Sequence, residues 1–250
     1  SAVSFGFSVS SAGDVNGDGL PDLLVGAGLG DSAHVFLNSP EGLMPEPVQS
    51  WSVPGAWFGF NVSAAGDVNG DGYADVIVGS MLGFSAFLYF GGPDGPGAGP
   101  NTSLSTGAFG FGISVSSAGD VNGDGYEDLI IGAANGIPPE ASVWYGSPEG
   151  PGGTADVVLT GETTFGISAR GAGDVNGDGY ADVVVGDAEE QLFVVHMGGP
   201  DGLNPEPAMF ATGVQGFGIS VAGAGDVNGD GYADVVAGGG NRASVYHGTA

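Results

Sequence analysis

The chain has 250 residues, 29 of them acidic and two basic (Arg170 and Arg242), giving a formal net charge of −27. Such a surface attracts cations and repels nucleic acid and anionic membrane, both of which need Lys and Arg against their phosphates. There is no cysteine for disulfide or thiol chemistry, no apolar run approaches the roughly 18 residues of a membrane span, and 42% hydrophobic residues argue against disorder.

Ser1-Ala2-Val3-Ser4 has neither the basic nor the apolar region of a secretory leader. The pair Phe5-Gly6 follows, and nine residues after Phe5 comes the first acid of a loop, Gly-Asp-Val-Asn-Gly-Asp-Gly, which opens at Gly13. Beyond it lie a β-branched run, Leu23-Leu24-Val25, and a second apolar run ending at Phe36. The turn Ser39-Pro40-Glu41-Gly42 has proline second and glycine fourth, the order a tight β-turn favours. Val48–Val53 closes the unit as a fourth run.

This unit recurs. Gly-Asp-Val-Asn-Gly-Asp-Gly begins at Gly13, Gly66, Gly119, Gly173 and Gly225, in steps of 53, 53, 54 and 52 residues. Short β-forming runs bounded by Gly, Pro and Asp are strands, and no helical periodicity persists over ten residues. Four antiparallel strands at a period of about 50 residues describe a propeller blade; calcium-binding β-helices repeat at about nine residues and helical solenoids at about 33 to 47. The expected fold is all-β, a β-propeller of five blades forming one domain over 1–250, with repeats at approximately 1–53, 54–106, 107–160, 161–213 and 214–250. The fifth copy stops at Ala250, where its fourth strand should begin. Three outcomes are open: the last blade is three-stranded, the chain is cut from a longer array, or self-association lets a neighbouring molecule complete the sheet.

Each loop reads Asp-x-Asn-x-Asp-Gly-x-x-Asp. Hard oxygen donors at alternate positions with glycine sixth describe a Ca²⁺ loop, and a backbone carbonyl is expected at position seven, leaving that side chain free to vary. The candidate ligands are Asp14, Asn16, Asp18, Leu20 and Asp22 in the first loop, and Asp67, Asn69, Asp71, Tyr73 and Asp75 in the second. The third offers Asp120, Asn122, Asp124, Tyr126 and Asp128; the fourth Asp174, Asn176, Asp178, Tyr180 and Asp182; the fifth Asp226, Asn228, Asp230, Tyr232 and Asp234. Position twelve, a bidentate Glu in an EF-hand, is Val25, Val78, Ile131, Val185 or Ala237, so the loop is of another kind. About five Ca²⁺ are expected, one per repeat. Mg²⁺ keeps its waters and rarely takes an all-protein cage.

The Phe-Gly pair, the acidic loop and Val25-Gly26-Ala27 or Ile131-Gly132-Ala133 resemble the FG-GAP repeat, the unit of the integrin α-subunit N-terminal propeller and of many bacterial surface proteins. The resemblance covers nearly the whole chain. It implies ligand roles for the five Asp/Asn/Asp/Asp sets and an adhesion or protein-recognition module, extracellular or at the cell surface. The chain departs from integrins in three ways: it has five repeats rather than seven blades, it lacks the "GAP" proline (Gly79-Ser80, Gly186-Asp187), and it carries the calcium signature in every loop. In this it resembles a bacterial integrin-like propeller.

In an up-and-down blade the strand 1–2 and 3–4 connections share one rim, and the 2–3 and 4–1 connections share the other. The segments that differ most between copies fall on the second rim: Gly30-Asp31-Ser32, Met81–Phe84, Asn135–Pro139, Asp187–Glu190 and Asn241-Arg242, joined by Trp57, Phe109 and Glu162. That rim is where a protein or glycan ligand is expected. The histidines His34, His196 and His247 form no repeated set, and no nucleophile elbow, Walker loop or zinc pattern is present, so the chain reads as a binder and not an enzyme. Phe36, Tyr89, Trp144 and Tyr246 share one position of the third strand and are expected between blades. The alternative function is a carbohydrate-binding propeller or an accessory domain of a secreted polysaccharide-active enzyme, which an aromatic cluster beside carboxylates on the loop rim would favour.

Overall fold

A computed structural model describes residues 4–250; Ser1–Val3, read above for a leader, lie outside the described residues. Blade 1 consists of β1 (Ser8–Gly13), β2 (Asp22–Ala27), β3 (Ser32–Phe36) and β4 (Gln49–Ser52). Blade 2 has β5 (Phe58–Gly66), β6 (Asp75–Ser80), β7 (Ser85–Tyr89) and β8 (Thr102–Leu104), and blade 3 has β9 (Ser114–Gly119), β10 (Asp128–Ala133), β11 (Glu140–Trp144) and β12 (Val157–Thr160). Blade 4 has β13 (Ser168–Gly173), β14 (Asp182–Asp187), β15 (Leu192–His196) and β16 (Met209–Thr212). Blade 5 has β17 (Ser220–Gly225), β18 (Asp234–Gly239) and β19 (Arg242–Tyr246). Each sheet is an antiparallel meander, four-stranded in the first four blades and three-stranded in the last. The fifth blade has three strands among the described residues.

The apolar runs are continuous because each middle strand is covered on both faces. Val76, Ile77 and Val78 are all fully enclosed, as are Leu129, Ile130 and Ile131. Alternate residues of one strand enter two different cores. Ile77 packs toward blade 3 with Leu129 and Ile131. Val76 and Val78 pack toward blade 1 with Leu24 and Val35. All four apolar clusters straddle a blade junction in this way, so the core is a series of layers between blades.

Tyr89, Trp144 and Tyr246 lie in these layers as expected, but Phe36 does not: no described blade packs on that face of blade 1, and its ring lines an open apolar trough with Phe5, Leu23 and Leu43. Tyr89 stacks on Trp51 of blade 1 with ring centroids 3.9 Å apart. Trp144 meets Phe111 edge-on at 6.4 Å, and Tyr246 lies 5.0 Å from Phe193. Blade 4 carries the buried His196 at this position.

Two signature glycines explain how closely the blades approach. A Cβ on Gly26 would overlap the carbonyl oxygen of Gly59 in the next blade, and one on Gly59 (φ +81°) would overlap the Ser32 carbonyl oxygen. The glycine of the Phe-Gly pair therefore seats against the glycine ending β2 of the preceding blade.

The first strand of every blade bulges at an alanine just before the acidic loop, at Ala12, Ala65, Ala118, Ala172 and Ala224. A bulge bends the strand and turns the chain out into the loop.

The arc is open. Strands of consecutive blades pack along their length, whereas none of β17 to β19 shares an extended contact with blade 1. Val9 on blade 1 is 58% exposed and Val227 on blade 5 is 55% exposed, although their counterparts elsewhere are buried.

Candidate functional site

The five acidic loops join the first strand to the second at one rim, and they share a hydrogen-bond pattern. In the first loop, Asp14 Oδ1 accepts from the Gly17 and Asp18 amides (2.8 and 3.0 Å) and Oδ2 from the Gly19 amide at 2.8 Å. Asn16 Oδ1 accepts from the Asp18 amide at 3.2 Å, its Nδ2 donates to Asp18 Oδ2 at 3.1 Å, and Asp18 Oδ1 accepts from the Leu20 amide at 2.9 Å. The same bonds recur around Asp67, Asp120, Asp174 and Asp226. Glycines at the fourth and sixth positions (Gly17, φ +75°, and Gly19, φ +87°) allow this wrap.

The ninth residue is the anchor. Asp22, Asp75, Asp128, Asp182 and Asp234 start the second strands and are buried. Asp75 Oδ2 accepts from the Val68 amide and Oδ1 from the Gly91 amide, both at 2.9 Å, so one carboxylate ties the loop to the connection that leaves β7. Burial, with the Asp71 and Asp67 charges adding to it, pushes the Asp75 carboxyl up to about 7 against its two backbone donors. Asp128 is likewise pushed to about 7 and Asp182 to about 6, and Asp22 is raised in the same way. For Asp234, burial also acts upward, but the Gly248 and Val227 amides and the His247 imidazole outweigh it and its carboxyl falls below the usual range.

Three carboxylates per loop therefore share one short segment, close enough to repel. Among the described residues, no three acidic or histidine side chains are gathered as a closed metal cluster; the carboxylates turn onto loop amides. The donor set, carboxylate, amide and carbonyl oxygen, fits a hard divalent cation in chemistry and in charge.

The seventh position corrects a sequence expectation. Its side chain is not free to vary: Tyr73, Tyr126, Tyr180 and Tyr232 each lie across the fourth-position glycine of the preceding blade's loop. A Cβ on Gly17, Gly70, Gly123 or Gly177 would come within 2.5 to 2.8 Å of that ring. Beside each ring, a backbone bond crosses the junction, such as the Ala74 amide to the Asp14 carbonyl at 2.9 Å and the Ala233 amide to the Asp174 carbonyl at 2.8 Å. A second crosses from the Gly92 amide to the Val15 carbonyl at 2.9 Å. The loops are thus mechanically linked around the arc. The signal was present in the sequence, since four of five copies carry Tyr at this position.

The opposite rim is held by other acids. Asp31, in the connection from β2 to β3, accepts from the Gly55 and Trp57 amides at 2.6 and 2.7 Å. Asp187 Oδ1 accepts from the Thr163 and Thr164 hydroxyls, both at 2.8 Å. These latches join the two sets of connections expected to share this rim. Aromatics gather there: Trp57 stacks on Phe60 at 5.7 Å, Phe60 meets Phe7 at 5.0 Å, and Phe84 meets Phe109 at 4.8 Å. Phe7, Phe109, Leu82 and Ile137 are exposed. At the inner strands, Arg170 Nη1 donates to Ser114 Oγ and to the Ala169 and Val115 carbonyls, and its Nη2 donates to Asn61 Oδ1 at 3.5 Å, so it spans blades 2 to 4.

Comparison with known proteins agrees with this repeat architecture. The FG-GAP-like repeat matches residues 14–78, 120–185 and 174–237, and the FG-GAP repeat matches residues 58–99. The chain belongs to the FG-GAP-like repeat family. It is similar to integrin alpha-5 of Xenopus laevis, with 30% identity over 223 residues, covering 78% of this chain and 21% of the relative. Human integrin alpha-7 is 35% identical over 145 residues (52% of this chain, 12% of the relative), and integrin alpha-PS5 of Drosophila melanogaster is 37% identical over 150 residues (52% and 15%). The FG-GAP chain spans about a fifth or less of the length of these curated relatives. No helix among its described residues is long and apolar enough to cross a membrane.

Proposed function

We propose that this chain is a calcium-braced recognition propeller that holds a protein ligand on the rim opposite its acidic loops, outside the cell or at its surface. The observation that carries the reading is the division of labour between the rims. One rim repeats the same oxygen-rich loop five times, while the segments that differ between copies bring the exposed Leu82, Phe109 and Ile137 and the half-buried Trp57 and Phe84 to the other. Side-chain oxygens at loop positions one, three, five and nine and the carbonyl at seven hold the ion in each repeat, from Asp14 to Asp22 through Asp226 to Asp234. The bound ion supplies positive charge that offsets three crowded carboxylates; five would take the formal charge from −27 to −17. The linked Tyr rings pass the resulting rigidity from blade to blade, so the far rim is presented as a fixed surface. The similarity to integrin α subunits supports recognition rather than catalysis.

A second reading, binding of a glycan by the same rim, is favoured by the stacked Trp57, Phe60 and Phe7 beside the Asp31 carboxylate. Sugars stack on such faces. One experiment addresses both: the calcium-loaded protein is tested on a panel of immobilised extracellular proteins and on a glycan array, beside Trp57→Ala and Phe109→Ser. Binding to proteins that the variants and chelator abolish supports the first reading; binding confined to glycans supports the second. Binding that neither substitution weakens would remove this rim from the account.

A further inference from the structure

The junction between blades 3 and 4 is packed less fully than the one between blades 1 and 2. At the latter, Trp51 of β4 stacks on Tyr89 of β7 with ring centroids 3.9 Å apart. Between blades 3 and 4 the same two positions hold Leu159, paired with Ala141 as Trp51 is with Ala33, and His196, paired with Val183 as Tyr89 is with Val76. These smaller side chains leave a cavity of about 270 Å³ beside β15, slightly below the roughly 300–1,000 Å³ of drug-sized clefts. Phe165, Leu192 and Val194 give it an apolar wall. From Leu192 to His196 it follows four residues of the strand, about 13 Å.

The two ends of the cavity differ in chemistry. Beside the connection from β14 to β15 it is lined by Glu162, Asp187 and Glu190. Glu162 and Glu190 are exposed, but Asp187 is buried and uses only half of its carboxylate. Its Oδ1 accepts from the Thr163 and Thr164 hydroxyls and from the Thr164 and Glu190 amides, whereas Oδ2 has no partner among the described residues. No described Lys or Arg forms an ion pair with these acids, and a buried carboxylate without a counter-charge is costly. At the other end His196 is 3% exposed, its Nδ1 lies 3.2 Å from the Asn204 carbonyl, and its Nε2 is buried without a partner. With Nδ1–H donating, Nε2 carries a lone pair and acts as an acceptor. Burial pulls the imidazole below its usual range, which keeps it neutral.

We propose that this cavity binds a small organic cation: an ammonium group on an apolar body, its charge at Asp187 Oδ2 beside Glu162 and Glu190, and a hydrogen-bond donor at its far end for His196 Nε2. The body lies along Phe165, Leu192 and Val194. Among the described residues no three acidic or histidine side chains are gathered to hold a bare metal ion, and an apolar wall suits a body of carbon. The site lies between two four-stranded blades in the interior of the arc, and it does not depend on the rim's binding a protein.

Tyramine carries all three parts and serves as the probe. Phenethylamine lacks its hydroxyl, and 2-(4-hydroxyphenyl)ethanol lacks its charge. Calorimetric titration of the full chain with calcium, at about 0.15 M salt to screen the other surface acids, is expected to show one saturable tyramine site. Phenethylamine and the alcohol are each expected to bind about tenfold more weakly. Glu162→Gln combined with Glu190→Gln changes two exposed side chains, and should weaken tyramine binding about tenfold with an unchanged thermal melt. His196→Leu should leave phenethylamine binding as it was and remove tyramine's advantage over it, which a merely structural role for the imidazole would not do. If His196→Leu does not fold, the ranking of the three probes on wild type decides. No saturable tyramine binding overturns the proposal. So does phenethylamine or the alcohol binding as tightly as tyramine, or a tyramine advantage that survives His196→Leu.

Discussion

The Tyr73 ring lies across Gly17, so that a Cβ on that glycine would come within 2.8 Å of ring carbon Cε1. One loop's seventh residue thereby clamps the fourth residue of its neighbour. The same clamp joins Gly70 to Tyr126, Gly123 to Tyr180 and Gly177 to Tyr232. It makes the rim of acidic loops a single linked structure, and it provides a control within the chain, because Gly229 has the same backbone conformation (φ +76°) with nothing within 4 Å.

Gly123→Ala is expected to cost about 3 kcal/mol, combining about 1–2 kcal/mol for a side chain in the left-handed region with about 1–3 kcal/mol of overpacking against Tyr180. Gly229→Ala carries only the first part, about 1–2 kcal/mol. Denaturant midpoints of the two variants check this; equal losses would mean that the Tyr ring yields and the clamp carries no load.

Removing metal is expected to lower the melting temperature sharply. At ten times Kd each site adds about 1.4 kcal/mol, and five add about 7 kcal/mol, comparable with the stability of a whole domain. Titration of chelator-treated protein with CaCl₂ should count about five sites, and melts with and without the ion should differ. Melts that coincide would reduce the loops to turns.

His196 makes the protein acid-sensitive. Its Nδ1 donates to the Asn204 carbonyl at 3.2 Å and its Nε2 is buried without a partner. Burial pulls the imidazole below 6.5 despite the Asn204 and Pro205 carbonyls and the Glu206 charge. The unfolded chain then takes up the proton first, so stability is full above about 6.5 and falls as pH drops toward the folded value. His34 is lowered by burial as well, with the same sign. The loss from pH 7 to 5 should therefore be smaller in His196→Phe than in wild type, by up to about 1.4 kcal/mol per pH unit. Parallel pH profiles would contradict the assignment.

Arg170→Met is expected to destabilise by about 1–3 kcal/mol, since it removes the guanidinium that bridges the inner strands of blades 2, 3 and 4 and leaves the Val115 and Ala169 carbonyls with one donor fewer. Arg170→Lys should recover only part, because a point charge cannot reproduce the planar fork. A thermal melt of each variant decides; full recovery by lysine would mean that charge alone matters.

The repeat, its strands and its acidic loops were legible in the sequence because they are local. The spacing from Asp14 to Asp22 sets one turn, and Leu23-Leu24-Val25 declares a strand without reference to anything distant. Tyr89, Trp144 and Tyr246 were legible for the same reason, since a repeated position meets a repeated neighbour; Phe36, at the same position, has no described neighbour blade to meet. What one repeat does to the next was not legible. Periodicity gives each residue its place within a blade but not the rotation between blades, and that rotation puts Tyr73 on Gly17, Gly59 on Gly26 and Arg170 across three strands. It also leaves Val9 and Val227 in solvent at the open ends of the arc. The sequence by itself determined five copies of one repeat and the chemistry of their loops. Only the tertiary structure decided how far they curl, because that angle follows from side-chain packing summed over four junctions rather than from any single segment.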